Sequence, residues 1–386
     1  MTTRKLITKT LVAAAVCAAT SSAYAANIGD TSVSYGGYVK LDAMWSDFSA
    51  GTISGDSIGR DFYVPSTTPV GDDADSDAVF DMHARQSRFN FGTSTKLDNG
   101  KSVNTKIELD FIASIGGNER VTNSYSPRIR QAYITYDGWL FGQAWSNFQN
   151  VGALPETLDF VGPAEGTVFN RQAQIRYSTG NWSFSLENPE STITVNGARV
   201  ETDDAGIPDF TARYNHKADW GEVVVTALAR QLTYKQGGAD ETTSSFGVSV
   251  SGKFNVSGKN NIKFMVTQGS GLGRYVGLNV AHGAVYDGSN IDAIDSTSGF
   301  IGYQHHWNEQ FRSTFLYSFF EADNNTDLLA FSGNPTESSM SYSANLLYSP
   351  VKKLTFGVEY KHAERETESG ADGDLDRLQF SAKYAF

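Results

Sequence analysis

Apolar and polar residues alternate strictly along much of this chain. From Lys101 to Ser114, Val103, Thr105, Ile107, Leu109, Phe111 and Ala113 share one phase. Asn104, Lys106, Glu108, Asp110 and Ser114 share the other, broken only by Ile112. The stretch from Phe246 sets Val248, Val250, Gly252 and Phe254 against Ser249, Ser251 and Lys253. The stretch from Ser338 sets Met340, Tyr342, Ala344, Leu346 and Tyr348 against Ser341, Ser343 and Asn345. Helical spacing would scatter these apolar residues around an axis, whereas a strand collects them on one side. Repeated segments of this length with one apolar face are the pattern of membrane-spanning strands.

About sixteen such segments are readable, a size typical of water-filled barrels. They fall near 33–48, 82–97, 101–115, 126–137, 139–148, 170–179, 181–188, 208–217, 221–235, 243–254, 259–269, 298–307, 310–322, 336–348, 352–366 and 374–386. Their connections alternate between short turns, such as Asp137-Gly138 and Ser349-Pro350, and long loops, such as 49–81, 149–169 and 270–297. Long loops outside and short turns in the periplasm characterise an all-β transmembrane antiparallel barrel of the outer membrane of a Gram-negative bacterium. The last segment ends on an aromatic phase, with Leu378, Phe380, Ala382, Tyr384 and Phe386 opposite Arg377, Gln379, Ser381 and Lys383.

The N-terminus changes this picture. Arg4, Lys5 and Lys9 precede the apolar run LVAAAVCAA and the small-x-small site Ala23-Tyr24-Ala25, the layout of a cleaved export signal. The run is too short for a membrane helix, which needs about 20 residues. Residues 1–25 are therefore expected to be a signal peptide and 26–386 the barrel. Cleavage lowers the 31 basic residues to 28 against 43 acidic ones, a net charge of −15, and removes Cys17, the single cysteine. Without it the chain has no disulfide, thiol nucleophile or thiolate metal site, and the acidic balance argues against a nucleic-acid partner. Mean hydropathy of −0.34 is compatible with a membrane barrel that has a polar lumen.

Residues 126–148, SPRIRQAYITYDGWLFGQAWSNF, and 156–178, ETLDFVGPAEGTVFNRQAQIRYS, together with Ala84 to Thr95, ARQSRFNFGTST, resemble the DcaP-like porins. That resemblance implies a homotrimeric outer-membrane channel for dicarboxylate uptake. It also implies that the third long loop, Gln149 to Phe169, folds inward as a constriction. The mix of Pro155, Pro163 and three glycines with Leu154, Leu158, Phe160, Val161 and Phe169 suits packing against an inner wall.

The charged residues suggest what such a pore selects. Arg88, Arg176 and Arg213 share the polar phase of their strands and should face the lumen, because a midplane Arg facing lipid costs about 2–4 kcal/mol. Arg128 and Arg130 conflict with that rule, since their phase continues into Ala132, Ile134 and Tyr136. A bulge or a position at the upper rim would resolve the conflict. Arg171 has the same conflict, where the inward loop rejoins the wall. One reading sets this basic strip against Glu156, Asp159 and Glu165 of the loop, giving a transverse field that guides small anionic solutes such as dicarboxylates. The other has the arginines pair with Glu108, Asp110 and Glu187 to satisfy buried charge. Asp72, Asp73, Asp75, Asp77 and Asp81 cluster in the first loop, where the alternatives are divalent-cation binding at the lipopolysaccharide surface and, favoured, a solvated acidic loop. A nonspecific porin and an outer-membrane enzyme are the alternatives. The six histidines are dispersed and form neither GxSxG-type nor HExxH-type chemistry, so no catalytic residue, metal or cofactor is expected.

Overall fold

The computed structural model describes residues 24–72, 77–113, 117–118 and 121–386. The expected signal peptide up to Ala23, along with Asp73 and Asp75 of the first loop, lies outside the described residues. Sixteen strands form the wall. β1 is Thr31–Phe48, and β2 is split into Val79–His83 and Arg88–Lys96; β3 is Ser102–Asp110, β4 Arg128–Tyr136 and β5 Trp139–Trp145. They are followed by β6 Arg171–Thr179, β7 Trp182–Glu187, β8 Asp209–Ala218, β9 Gly221–Tyr234 and β10 Glu241–Asn255. The circuit continues with β11 Asn261–Ser270, β12 Asp295–His306, β13 Phe311–Asp323, β14 Thr336–Val351, β15 Leu354–Thr367 and β16 Asp372–Ala385. Each strand pairs antiparallel with the next, and β16 returns to β1 over Tyr38–Phe48 and Leu375–Ala385. The barrel is closed, so no strand edge of the wall is left facing the apolar layer.

Side-chain alternation produces the two faces. The outward phase exposes Phe141, Ile175, Phe184, Phe210, Val248, Ile301 and Phe315 to lipid. Aromatic residues gather near the short turns, with Trp139 4.8 Å from Tyr177 and Trp182 4.7 Å from Tyr214 between ring centroids. At the opposite end Trp45 lies 4.6 Å from Phe80. These are the two interfacial girdles of an outer-membrane barrel. The inward phase is polar, as in Ser245, Ser249 and Ser251 of β10 and Ser339, Ser341, Ser343 and Asn345 of β14.

Two local departures from the sequence reading have physical causes. The segment expected at 82–97 breaks at 84–87, because Lys40 of β1 takes Ser87 and Gln86 as partners. Ser349-Pro350 is not the turn. β14 runs on to Val351 through a register shift between Tyr348 and Val351, where a proline lacking an N–H costs no ladder bond. The turn falls at Lys352-Lys353.

Three long loops turn into the barrel rather than away from it. Phe148, Ala153 and Val168 of the third loop pack with Leu272, Tyr275, Val276 and Val280 from the 271–294 loop. Phe62, Tyr63 and Val64 of the first loop pack with Val161 and Ala164. Strands Ser191–Val195, Ala198–Thr202, Ala284–Tyr286 and Ile291–Ala293 form a small second sheet over that end. Among the described residues no helix is long and apolar enough to cross a membrane.

Candidate functional site

The third loop spans the lumen and is tied to the inner wall along its length. At its base, Glu187 of β7 accepts the Asn147 amide at 2.8 Å, and Thr226 of β9 donates to the Phe148 carbonyl at 3.0 Å. Lys263 of β11 donates to the Leu154 carbonyl at 2.6 Å. On the far side, the buried Glu359 carboxylate of β15 accepts the amides of Leu158 and Asp159 at 2.8 and 3.1 Å. Lys40 of β1 and Lys361 of β15 reach the carbonyls of Leu158 and Gly162 at 2.6 and 2.7 Å. Gly166 meets the wall so closely that a Cβ there would lie 2.1 Å from the Gly299 carbonyl oxygen, so only glycine fits. The expected constriction loop is thus an inner partition of the barrel.

Arg128 and Arg130 both reach inward because the β3–β4 ladder carries a register shift between Glu108 and Leu109. The extra residue of a bulge re-aims the side chains beyond it. Ile129 faces out, Arg130 and Gln131 are both buried, and Ile134 again faces out. Arg128 forks onto Asp110 with both bonds at 3.0 Å. Arg130 bridges Glu108 and Asp110 at 2.8 Å each. Arg88 stands at 3.8 and 4.0 Å from the same two carboxylates, and Lys106 at 3.2 Å from Glu108. Phe160 of the loop covers both Arg130 and Arg128. Arg171 stacks 4.5 Å above Trp145 and 5.4 Å from Phe169, with its Nη1 buried and unpartnered. Four arginines and one lysine therefore surround two carboxylates.

Arg176 and Arg213 form a second group beneath the loop base. Arg176 donates to Gln174 at 2.9 Å and to the Trp145 carbonyl. Arg213 donates to the Gln149 carbonyl at 2.6 Å and to Asn215 at 2.8 Å. Neither guanidinium is ion-paired among the described residues; the hydrogen-bond acceptors are neutral oxygens, and Glu187 and Glu222 act on Arg176 and Arg213 only at longer range.

The acidic side of the expected transverse field needs correction. Asp159 is buried and accepts the amides of Tyr63, Val161 and Gly162 at 2.9, 3.1 and 2.9 Å. Glu165 is fully buried and takes the Ser341 hydroxyl at 2.9 Å. Tight turns leave backbone amides that need acceptors, and these two carboxylates supply loop packing rather than a bare face on the pore. Only Glu156 is open to the lumen, and Arg312 holds both its oxygens at 2.6 Å. Glu187 serves the loop base together with Gln172 and Ser185.

Lys40, Lys253, Lys263, Arg312, Lys361 and Lys383 also line the lumen, a role that the polar phase of their strands signals. His362, Glu364 and Asp374 come within 4.8 Å of one another on the outward phase of β15 and β16. His362 is already hydrogen-bonded to Asp376 and Glu364.

A closed wall, apolar outside and polar inside, with a partitioned lumen defines an outer-membrane channel rather than an enzyme. A family model described as DcaP outer membrane protein matches residues 12–386, and the chain belongs to that family. Among solved structures, the outer membrane channel DcaP of Acinetobacter baumannii is 27% identical with a TM-score of 0.79, covering 92% of this chain and 97% of its own. An anion-selective porin from Comamonas acidovorans shares the fold at 10% identity and a TM-score of 0.56, covering 92% and 100%. The trimer form of in-vitro folded OmpT from Vibrio cholerae does so at 10% and 0.54, covering 93% and 100%. No curated protein sequence matches the chain.

Proposed function

We propose that this channel admits small anions by passive diffusion and favours short dicarboxylates. The observation that carries this reading is the pair Arg176 and Arg213, whose guanidinium groups point into the lumen with only neutral acceptors. A dianion entering a narrow pore sheds part of its water, and fixed guanidinium donors replace those contacts with charge-assisted hydrogen bonds. The Arg88–Arg128–Arg130–Arg171 group adds positive potential beyond what Glu108 and Asp110 neutralise. The fold is shared with a porin described as anion-selective. A nonspecific porin is the second reading, favoured by the tight pairing of Arg128 and Arg130 with Asp110.

Succinate block of single-channel chloride current separates the two. The double variant Arg176→Glu, Arg213→Glu is expected to weaken block about tenfold, because the reversed charges repel a dianion passing within a Debye length of about 8 Å. Unchanged block in a folded variant leaves the nonspecific porin. The proposal extends to a homotrimer, checked by native mass measurement in detergent, and to a mature start at Ala26, checked by N-terminal sequencing.

A further inference from the structure

Like charges directly opposite each other on neighbouring strands cost stability, yet the lumen wall carries such a pair near its periplasmic end. Lys253 of β10 and Lys263 of β11 are direct cross-strand partners, close to the short turn between these strands. Both share the inward phase, with Ser249 and Ser251 on one strand and Met265 and Thr267 on the other. Lys263 spends one donor on the Leu154 carbonyl. Glu222 of β9 lies on the other side of Lys253 and is ion-paired with Lys217 at 3.7 Å.

A second like-charge pair stands elsewhere on the same wall. Lys383 of β16 is the direct partner of Lys40 and lies 4.3 Å over the Tyr38 ring. Lys40 is committed to Asp42 at 3.0 Å and to the loop, and Lys383 has no ion-pair partner within 4 Å among the described residues. Glu156 at the loop tip lies within electrostatic reach of both Lys263 and Lys383, but Arg312 already holds it. Glu222 is shared between Lys217 and Lys253, and Glu156 among Arg312, Lys263 and Lys383, so the cations facing this space outnumber the carboxylates. Access to that space is unequal. The extracellular approach passes the packed first, third and 271–294 loops, whereas the periplasmic approach passes only short turns.

We propose that Lys253 and Lys263, with Lys383 further round the same end of the wall, line a vestibule in which the Lys253–Lys263 pair binds small polyvalent anions of the oligophosphate class, entered from the periplasm. An anion bound there sits between the loop and the exit and obstructs the current. The inference rests on the anion-permeation reading only in that both use lumen cations; its residues and its sidedness are separate.

The test is one-sided addition of tripolyphosphate to single channels, with orientation scored by modifying an S289C tag in the 271–294 loop. Half-block from the periplasmic side is expected at about one-tenth of the concentration needed from the other side, because focused positive potential concentrates the anion there. Lys253→Gln with Lys263→Gln should raise the periplasmic value about tenfold and abolish the sidedness. Lys253→Arg with Lys263→Arg should keep both. Lys101→Gln, at an exposed turn and ion-paired with Asp137, should change neither. The heat-dependent gel mobility of the parent barrel, retained by a variant, shows that the variant is folded. Equal block from the two sides, or an unchanged value in the folded glutamine variant, overturns the proposal. One-sided block in a cation-selective wild-type pore would instead sink the anion-permeation reading alone.

Discussion

Arg128 and Arg130 show what single residues reveal and conceal. Their phase set them on the lipid face, a position that charge forbids, so the sequence required either a bulge or a rim. It could not say which, because a bulge depends on how two strands register. Arg88, Arg176 and Arg213 were legible directly, since each lies in an unbroken alternation. Asp159 and Glu165 were not, because a loop carboxylate consumed by its own turn and one facing water look alike in a sequence. The paired centre itself is open to test. Asp110 is fully buried and accepts from both Arg128 and Arg130. Removing one partner of a buried ion pair strands the other, at a cost of about 3–5 kcal/mol. Asp110→Asn should therefore lower the heat needed to unfold the detergent-solubilised barrel, followed by the mobility shift on gels. An unchanged transition would mean that lumen water already solvates these arginines.

At the scale of elements, the strands were legible to within a few residues because period-two alternation survives wherever one face meets lipid. Turn chemistry misled at Ser349-Pro350, where the proline marks a bulge. The inward loops were less legible. Their apolar content hinted at packing, but several of the partners lie on strands more than a hundred residues away, as Leu158 and Glu359 do. Glu359 holds two adjacent loop amides and also takes a bond from Asn345 at 3.0 Å. Glu359→Ala leaves those amides without their acceptor, so the loop should loosen from the β15 wall. Open-channel recordings of this variant should show larger and noisier current than the parent, and an identical trace would mean that the other anchors suffice.

For the whole molecule, net charge and pore charge are different quantities. The chain is acidic, at −12 over its full length, yet the wall beneath the loop carries more cations than carboxylates. Acids such as Glu364, Glu366, Asp372 and Asp376 lie on outward strand phases towards the extracellular end, away from the permeating ion. Composition sums over both surfaces, and only the fold separates them. Family likeness carries the assignment as an outer-membrane channel, while selectivity rests on that separation. The most direct measurement is the zero-current potential of wild-type channels in a potassium chloride gradient. Lumen cations exclude potassium more than chloride, so the potential should take the sign of a chloride-selective pore and shrink as salt screens the wall. A potential of potassium-selective sign at low salt would contradict the account.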